Sequence, residues 1–309
     1  MRSESQNLLT RRGALRIATT SSAFVLAGMA GPLRAAEAEK SKAAAASITA
    51  PVAVGPPQKG RIKQAICGGV LKSVKSLEEK AQICAKLGVK GIDLLGPSDF
   101  PTLKKYNLIC TMVSGGNLKK GYNHKENHEA CIAASRKSID AAAEAGFPNV
   151  ICFSGNREGI SDEEGWKNCA EGLKQVVGYA EQKKVTLCME LLNSKRNHKD
   201  YQCDHTAWGA ELCKRVGSPS FKLLYDIFHM QIMEGDVIST LRENIQYIGH
   251  IHTAGVPGRH EIDESQELYY PAIMRALADA GYQGYVAHEY SPAGDAIPAL
   301  EKALRLCDV

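Results

Sequence analysis

From Arg61 onward, short apolar runs alternate with longer stretches whose apolar positions recur at helical spacing. The apolar runs predict strands over Ile62–Cys67, Gly91–Leu95, Leu108–Val113, Asn149–Phe153, Val185–Glu190, Lys222–Asp226, Tyr247–His252 and Tyr285–Glu289. Several are continuously apolar, as parallel strands buried on both faces are. The stretches between them predict helices over Ser76–Leu87, Asn127–Ala145, Ser161–Lys183, His205–Arg215, Asp236–Asn244, Tyr269–Ala280 and Ala296–Leu306, with a short one near Asp99–Tyr106. Ser76 with Glu79, and Ser161 with Glu164, have capping-box spacing, and Gly88 and Gly146 stand where helices stop. Alternation of this kind implies a parallel sheet with helical crossovers. Eight repeats of it predict an α/β fold, a closed (β/α)8 TIM barrel forming a single domain over residues 61–309. An open doubly wound sheet would carry a Gly-rich phosphate loop after the first strand. The CGGVLK run at Cys67–Lys72 has two glycines but neither phosphate-loop pattern.

The N-terminal part reads differently. Arg11-Arg12 precede the apolar run IATTSSAFVLAGMA, and small residues around Ala35-Ala36 follow. That is the layout of a secretory signal, and the paired arginines make it a twin-arginine signal peptide over residues 1–36. The run is too short and too polar for a comfortable membrane span. Residues 37–60, rich in Ala, Pro and Lys, read as a disordered linker. The expected location is therefore the periplasm or beyond, reached by export of the folded chain, with no membrane association in the mature form.

Removing the signal changes the charge picture. The whole chain has 38 basic and 34 acidic residues, for a formal net charge of +4. Residues 1–36 take away five arginines and one glutamate, which leaves 33 of each sign. A neutral mature chain has no electrostatic footprint for nucleic acid or anionic lipid. None of the ten cysteines shows CxxC spacing, and most lie in apolar runs, so they read as small buried hydrophobes. Ten free thiols suit a protein that folds inside the cell before export.

Four predicted strands close on a polar side chain: Glu190, Asp226, His252 and Glu289. A carboxylate at the end of a hydrophobic strand is costly unless something pairs it. Singly, such a residue is more often a helix cap or an ion-pair partner. In a barrel, however, all strand C-termini point to one face, where active sites sit. These four would end the fifth to eighth strands and converge in one quadrant of the mouth. Three carboxylates and one imidazole suit one divalent ion such as Mg²⁺, Mn²⁺ or Co²⁺, and their mutual repulsion calls for a cation.

The segments MELLNSK, YDIFHMQIMEGD, HIHTAGVPGRHEID and VAHEY resemble the hydroxypyruvate isomerase family of the xylose-isomerase-like barrel enzymes. The resemblance runs roughly from Arg61 to Asp295 and is strongest from residue 185 onward. It implies that Glu190, Asp226, His252 and Glu289 hold one divalent metal, with Glu190 and Glu289 as the catalytic acid/base pair. Hydroxypyruvate isomerases of that family often have Gln at the place of His252, whereas the related ketose 3-epimerases have His. The implied reaction is isomerisation of a small sugar or hydroxy-keto acid through an enediolate, with hydroxypyruvate and tartronate semialdehyde as the type pair. Alternatives on the same site are 3-epimerisation of a ketose, or lyase or hydrolase action on an oxidised glycoside. A periplasmic sugar-binding barrel is the non-enzymatic alternative, and a homo-oligomer is left open. Three further residues are candidate substrate binders. His229 follows Asp226 by three positions, on the loop leaving that strand, and can polarise a substrate oxygen. Arg259, in the GVPGRHE loop, can clamp a carboxylate. Asn156 lies in the polar FSGNREG loop.

Overall fold

The computed structural model describes residues 59–309. The predicted signal and the linker up to residue 58 lie outside the described residues. Seven strands form one parallel sheet: β1 (Lys63–Cys67), β2 (Ile92–Asp93), β3 (Asn149–Cys152), β4 (Thr186–Glu190), β5 (Phe221–Asp226), β6 (Ile248–Thr253) and β7 (Tyr285–His288). Their order is β2-β1-β7-β6-β5-β4-β3. The sheet curls into a TIM barrel. Most strand positions are buried, because helices cover the outer face and packed side chains fill the inner one.

The predicted strand Leu108–Val113 is not a continuous strand, yet it closes the ring. It touches its neighbours through isolated bridges, Gly91 to Ile109, Leu95 to Val113 and Val113 to Val150. Val113 N–H donates to Asn149 O at 2.9 Å, and Ile151 N–H donates to Val113 O at 3.0 Å. Side chains interrupt the ladder between these points. Asn149 Nδ2 donates to Thr111 O at 2.9 Å, and the Thr111 hydroxyl donates to the Asp93 carboxylate. Leu94 on the facing segment is also in the left-handed region (φ 61°), which a regular strand cannot hold. The chain passes so close here that a Cβ on Gly91 would lie 2.3 Å from Ile109 O.

Helices α1 (Leu77–Lys86), α2 (Phe100–Lys105) and α3 (His128–Ala145) follow the predicted pattern. The Ser76 side chain accepts from Glu79 N–H at 3.1 Å, and Gly146 stops α3 at φ 76°. The predicted helix Ser161–Lys183 breaks into α4 (Asp162–Lys174) and α5 (Val177–Lys183). Its last turn tightens to i→i−3 bonds at Gln175 and Val176, and Val176 leaves the helix at φ −127°. Val176 and Val177, on the two sides of the break, are both buried. Helices α6 (Thr206–Val216), α7 (Ile227–Met233), α8 (Val237–Asn244), α9 (Tyr270–Asp279) and α10 (Ala296–Leu306) complete the outer layer. The sequence pattern did not predict α7. It starts because the Asp226 carboxylate accepts from Phe228 N–H at 2.8 Å and His229 N–H at 3.3 Å. His229 therefore sits on a helix, not on a loop.

All ten cysteines are buried and free. Burial pushes the Cys131 thiol up to about 11 and those of Cys84, Cys110 and Cys213 up to about 12. They are inert small hydrophobes.

Candidate active site

The C-terminal ends of β4, β5 and β6 and the residue after β7 deliver Glu190, Asp226, His252 and Glu289 to one spot. Parallel register sets Asp226 directly beside His252, and Glu289 N–H bonds to Thr253 O at 2.8 Å. One ligand atom from each of the four lies within 4.8 Å of all the others. His252 Nδ1 is 2.8 Å from Glu289 Oε2 and 3.8 Å from Glu190 Oε1. Asp226 and His252 are fully buried, and Glu190 nearly so.

The charge balance differs from the sequence expectation in one respect. Arg259, expected to clamp a substrate carboxylate, reaches into the cluster itself. Its Nη2 donates to Asp226 Oδ2 at 2.8 Å and to Glu289 Oε2 at 2.5 Å, and its Nε donates to Glu289 O at 3.2 Å. The guanidinium lies over the Phe228 ring at 4.9 Å. The repulsion among the three carboxylates is thus already offset by a resident cation, so crowding alone does not demand a metal.

The donor set is the better argument that an ion fits. His252 Nδ1 is buried and faces two carboxylates, but it has no hydrogen-bond partner. His252 Nε2 meets Asp93 Oδ2 at 3.2 Å. With Nε2–H held by that carboxylate, Nδ1 is the ring atom turned toward the cluster, and loss of its proton would free it to ligate an ion.

Burial separates the carboxylates. It pushes Glu190 up to about 8, helped by the charge of Glu289. Burial also raises Asp226, although Arg259 pulls it down. Burial would raise Glu289 as well, but His252 and Arg259 outweigh it and hold that group below the usual carboxylate range. Two carboxyls at one site with opposite shifts are the arrangement an acid/base pair needs.

Sequence reasoning missed Asp93 and His250. Asp93 ends β2, so it too is an apolar run closing on a carboxylate. His250 precedes His252 by two, which puts both on one face of β6. Asp93 Oδ2 accepts from His250 Nε2 at 2.6 Å as well as from His252, and all three are fully buried. Cys67 Sγ, 3.8 Å from His252 Nε2, completes a second set of metal-type side chains with Asp93 and His252. Asn156 is not drawn into the cluster. Its N–H donates to Lys119 O at 2.9 Å, its carbonyl accepts from Asn123 and His124, and it bridges Tyr201 on the loops beyond β3. A cavity of about 400 Å³ opens on the cluster, lined by Cys67, Asp93, Arg259, Glu289 and Tyr290. That volume takes a small molecule.

A closed parallel barrel with carboxylates and imidazole gathered at its C-terminal mouth is the architecture of barrels that do their chemistry at strand ends. The chain belongs to the xylose isomerase-like TIM barrel family, whose sequence profile matches residues 81–307. It is 35% identical over 130 residues to a human protein named "Putative hydroxypyruvate isomerase", a match covering 42% of this chain and 47% of that one. It is 41% identical over 108 residues to the 2-oxo-tetronate isomerase of Cupriavidus necator, covering 35% and 41%. The chain thus spans less than half the length of these two relatives. A crystal structure of an AP endonuclease of family 2 from Brucella melitensis superposes with a TM-score of 0.69 at 24% identity, covering 77% of this chain and 96% of that one. At that identity the likeness speaks for the fold alone.

Proposed function

We propose that this chain is a metal-dependent isomerase of a small hydroxy-carbonyl compound, of hydroxypyruvate isomerase type. The observation that carries the reading is the convergence of Glu190 and Glu289 on His252 Nδ1, at 3.8 and 2.8 Å, with their proton affinities pushed apart in the metal-free protein. Glu190, Asp226, His252 and Glu289 would hold one divalent ion. Such an ion, when bound, acts as a Lewis acid toward adjacent carbonyl and hydroxyl oxygens. Isomerisation needs a proton removed from the carbon beside a carbonyl and returned to the neighbouring carbon. Glu190 and Glu289 are the two groups suited to take that proton and to return one. Arg259 supplies positive charge for the carboxylate of a hydroxy-keto acid. The relatives' isomerase names and the family's fold support this reading.

The test is conversion of hydroxypyruvate to tartronate semialdehyde by the protein loaded with Mg²⁺, Mn²⁺ or Co²⁺, with free ketohexoses as a second arm. Activity is expected on the hydroxy-keto acid and is expected to disappear on chelation and return with metal. Turnover of ketohexoses instead moves the assignment to epimerisation. Turnover that survives full metal removal refutes it.

We further propose that the chain is exported through the twin-arginine route, on the strength of Arg11-Arg12 and the apolar run that follows. Cell fractionation should find the protein outside the cytoplasm, and an Arg11→Lys/Arg12→Lys variant should stay inside. An unchanged distribution refutes the proposal.

A further inference from the structure

The loop after β4 carries Asn193, which is fully buried beneath the mouth. Its Oδ1 accepts from two backbone donors, Arg196 N–H at 3.1 Å and Asn197 N–H at 2.9 Å. Its Nδ2 donates to Asn197 Oδ1 at 2.8 Å and meets His229 Nδ1 at 2.6 Å. Turning the amide over would set its NH₂ against both backbone N–H groups and lose both bonds, so its orientation is fixed. His229 Nδ1 must therefore accept.

His229 is itself fully buried, with the His198 ring packed edge-on against it at 5.2 Å. A ring that accepts at Nδ1 carries no proton there, so it is neutral. A neutral imidazole has one N–H and one lone pair. The lone pair is on Nδ1, so the proton is on Nε2. That nitrogen faces Arg259 Nη1 at 2.7 Å, and a guanidinium only donates. The nearest carboxylate oxygen, Asp226 Oδ2, is 3.7 Å away, beyond a hydrogen bond. Two donors thus face each other, and the Arg259 bonds to Asp226 and Glu289 keep them there. An oxygen atom set beside the pair, within reach of both nitrogens, would accept from both.

We infer that Asn193 is a positioning residue that holds His229 in its Nε2–H form, so that His229 donates to a substrate oxygen and does not take a proton from it. The identity of that oxygen, carboxylate or carbonyl of a hydroxy-keto acid, rests on the function proposed above. The tautomer does not.

The experiment is the long-range ¹H–¹⁵N spectrum of the full-length protein carrying ¹⁵N-histidine, with His229 assigned by the signals lost in His229→Gln. The wild-type ring is expected to be protonated on Nε2 alone. Asn193→Asp keeps the size of the side chain and its acceptance from the two backbone donors. It is expected to bring a proton onto Nδ1 and to lower hydroxypyruvate turnover about a hundredfold, as losing one preorganised donor does. A proton on Nδ1 in the wild type overturns the inference, and so does an Asn193→Asp ring that still carries its proton on Nε2 alone. Should Asn193→Asp fail to fold, the wild-type spectrum still decides. Should the protein not turn over hydroxypyruvate, the spectra decide the tautomer while the proposed function falls separately.

Discussion

Glu289→Gln is expected to lower the turnover of hydroxypyruvate by about 10²–10⁴-fold, the usual worth of a positioned proton-transfer group. The carboxamide keeps the size of the carboxylate but cannot carry the proton. Bound metal, measured on the same preparation, separates a lost base from a lost ligand. Glu190→Gln is expected to cut turnover on a similar scale, yet the two variants should differ in the metal-free protein. Glu190 is largely protonated at neutral pH, so a neutral isostere replaces it at little cost. Glu289 is ionised between Arg259 and His252, so the amide leaves a half-buried guanidinium with one partner fewer. The pH dependence follows from the same shift. Glu190 is raised from 4.5 in the unfolded chain to about 8 in the folded one. The unfolded state then binds fewer protons in that interval, so metal-free stability is fully present below 4.5 and falls as pH rises through 8. Thermal melts across this interval should show the decline in wild type and a flatter profile in Glu190→Gln. Equal slopes, or Glu289→Gln retaining full turnover, would remove the acid/base assignment.

Asp93→Ala is expected to cost about 3–5 kcal/mol of stability, the scale for deleting one partner of a buried ionic group. The carboxylate ties Thr111 to His250 and His252, both on β6. Its loss leaves two buried imidazoles without an acceptor. Asp93→Asn keeps one acceptor oxygen and should cost less. Burial alone would raise the Asp93 pKa, but the charge and hydrogen bonds of His250 and His252 bring it down from 3.8 to about 2. Its contribution is thus present above 3.8 and is lost as pH falls toward 2, the opposite direction to Glu190. Urea unfolding of the two variants reads the difference. A change below about 1 kcal/mol in Asp93→Ala would show that the network adds little.

The barrel was legible because its signal is local. Continuous apolar runs such as YVAH and NVIC are stable only when covered on both faces, and Ser76 and Ser161 cap helices through bonds that span three residues. The strand at Leu108–Val113 and the helix break at Val176 were not legible. At the first, the Asn149 and Asp93 side chains, brought in from elsewhere in the chain, overrode a regular local pattern; at the second, the last turn tightens to i→i−3 bonds that no residue spacing announces. The strand ends Glu190, Asp226, His252 and Glu289 could be picked out because every parallel strand of a barrel delivers its last residue to the same face.

Sequence alone therefore determined the alternation of elements, the closed parallel barrel and the four side chains at its mouth, since each follows from periodicity and chain direction. Only the tertiary structure decided that Arg259 lies among the carboxylates, that Asp93 holds two histidines 157 and 159 residues away, and that Asn193 fixes the ring of His229. Charge compensation, proton affinity and tautomer depend on distances of a few ångströms through space, and no spacing along the chain encodes those.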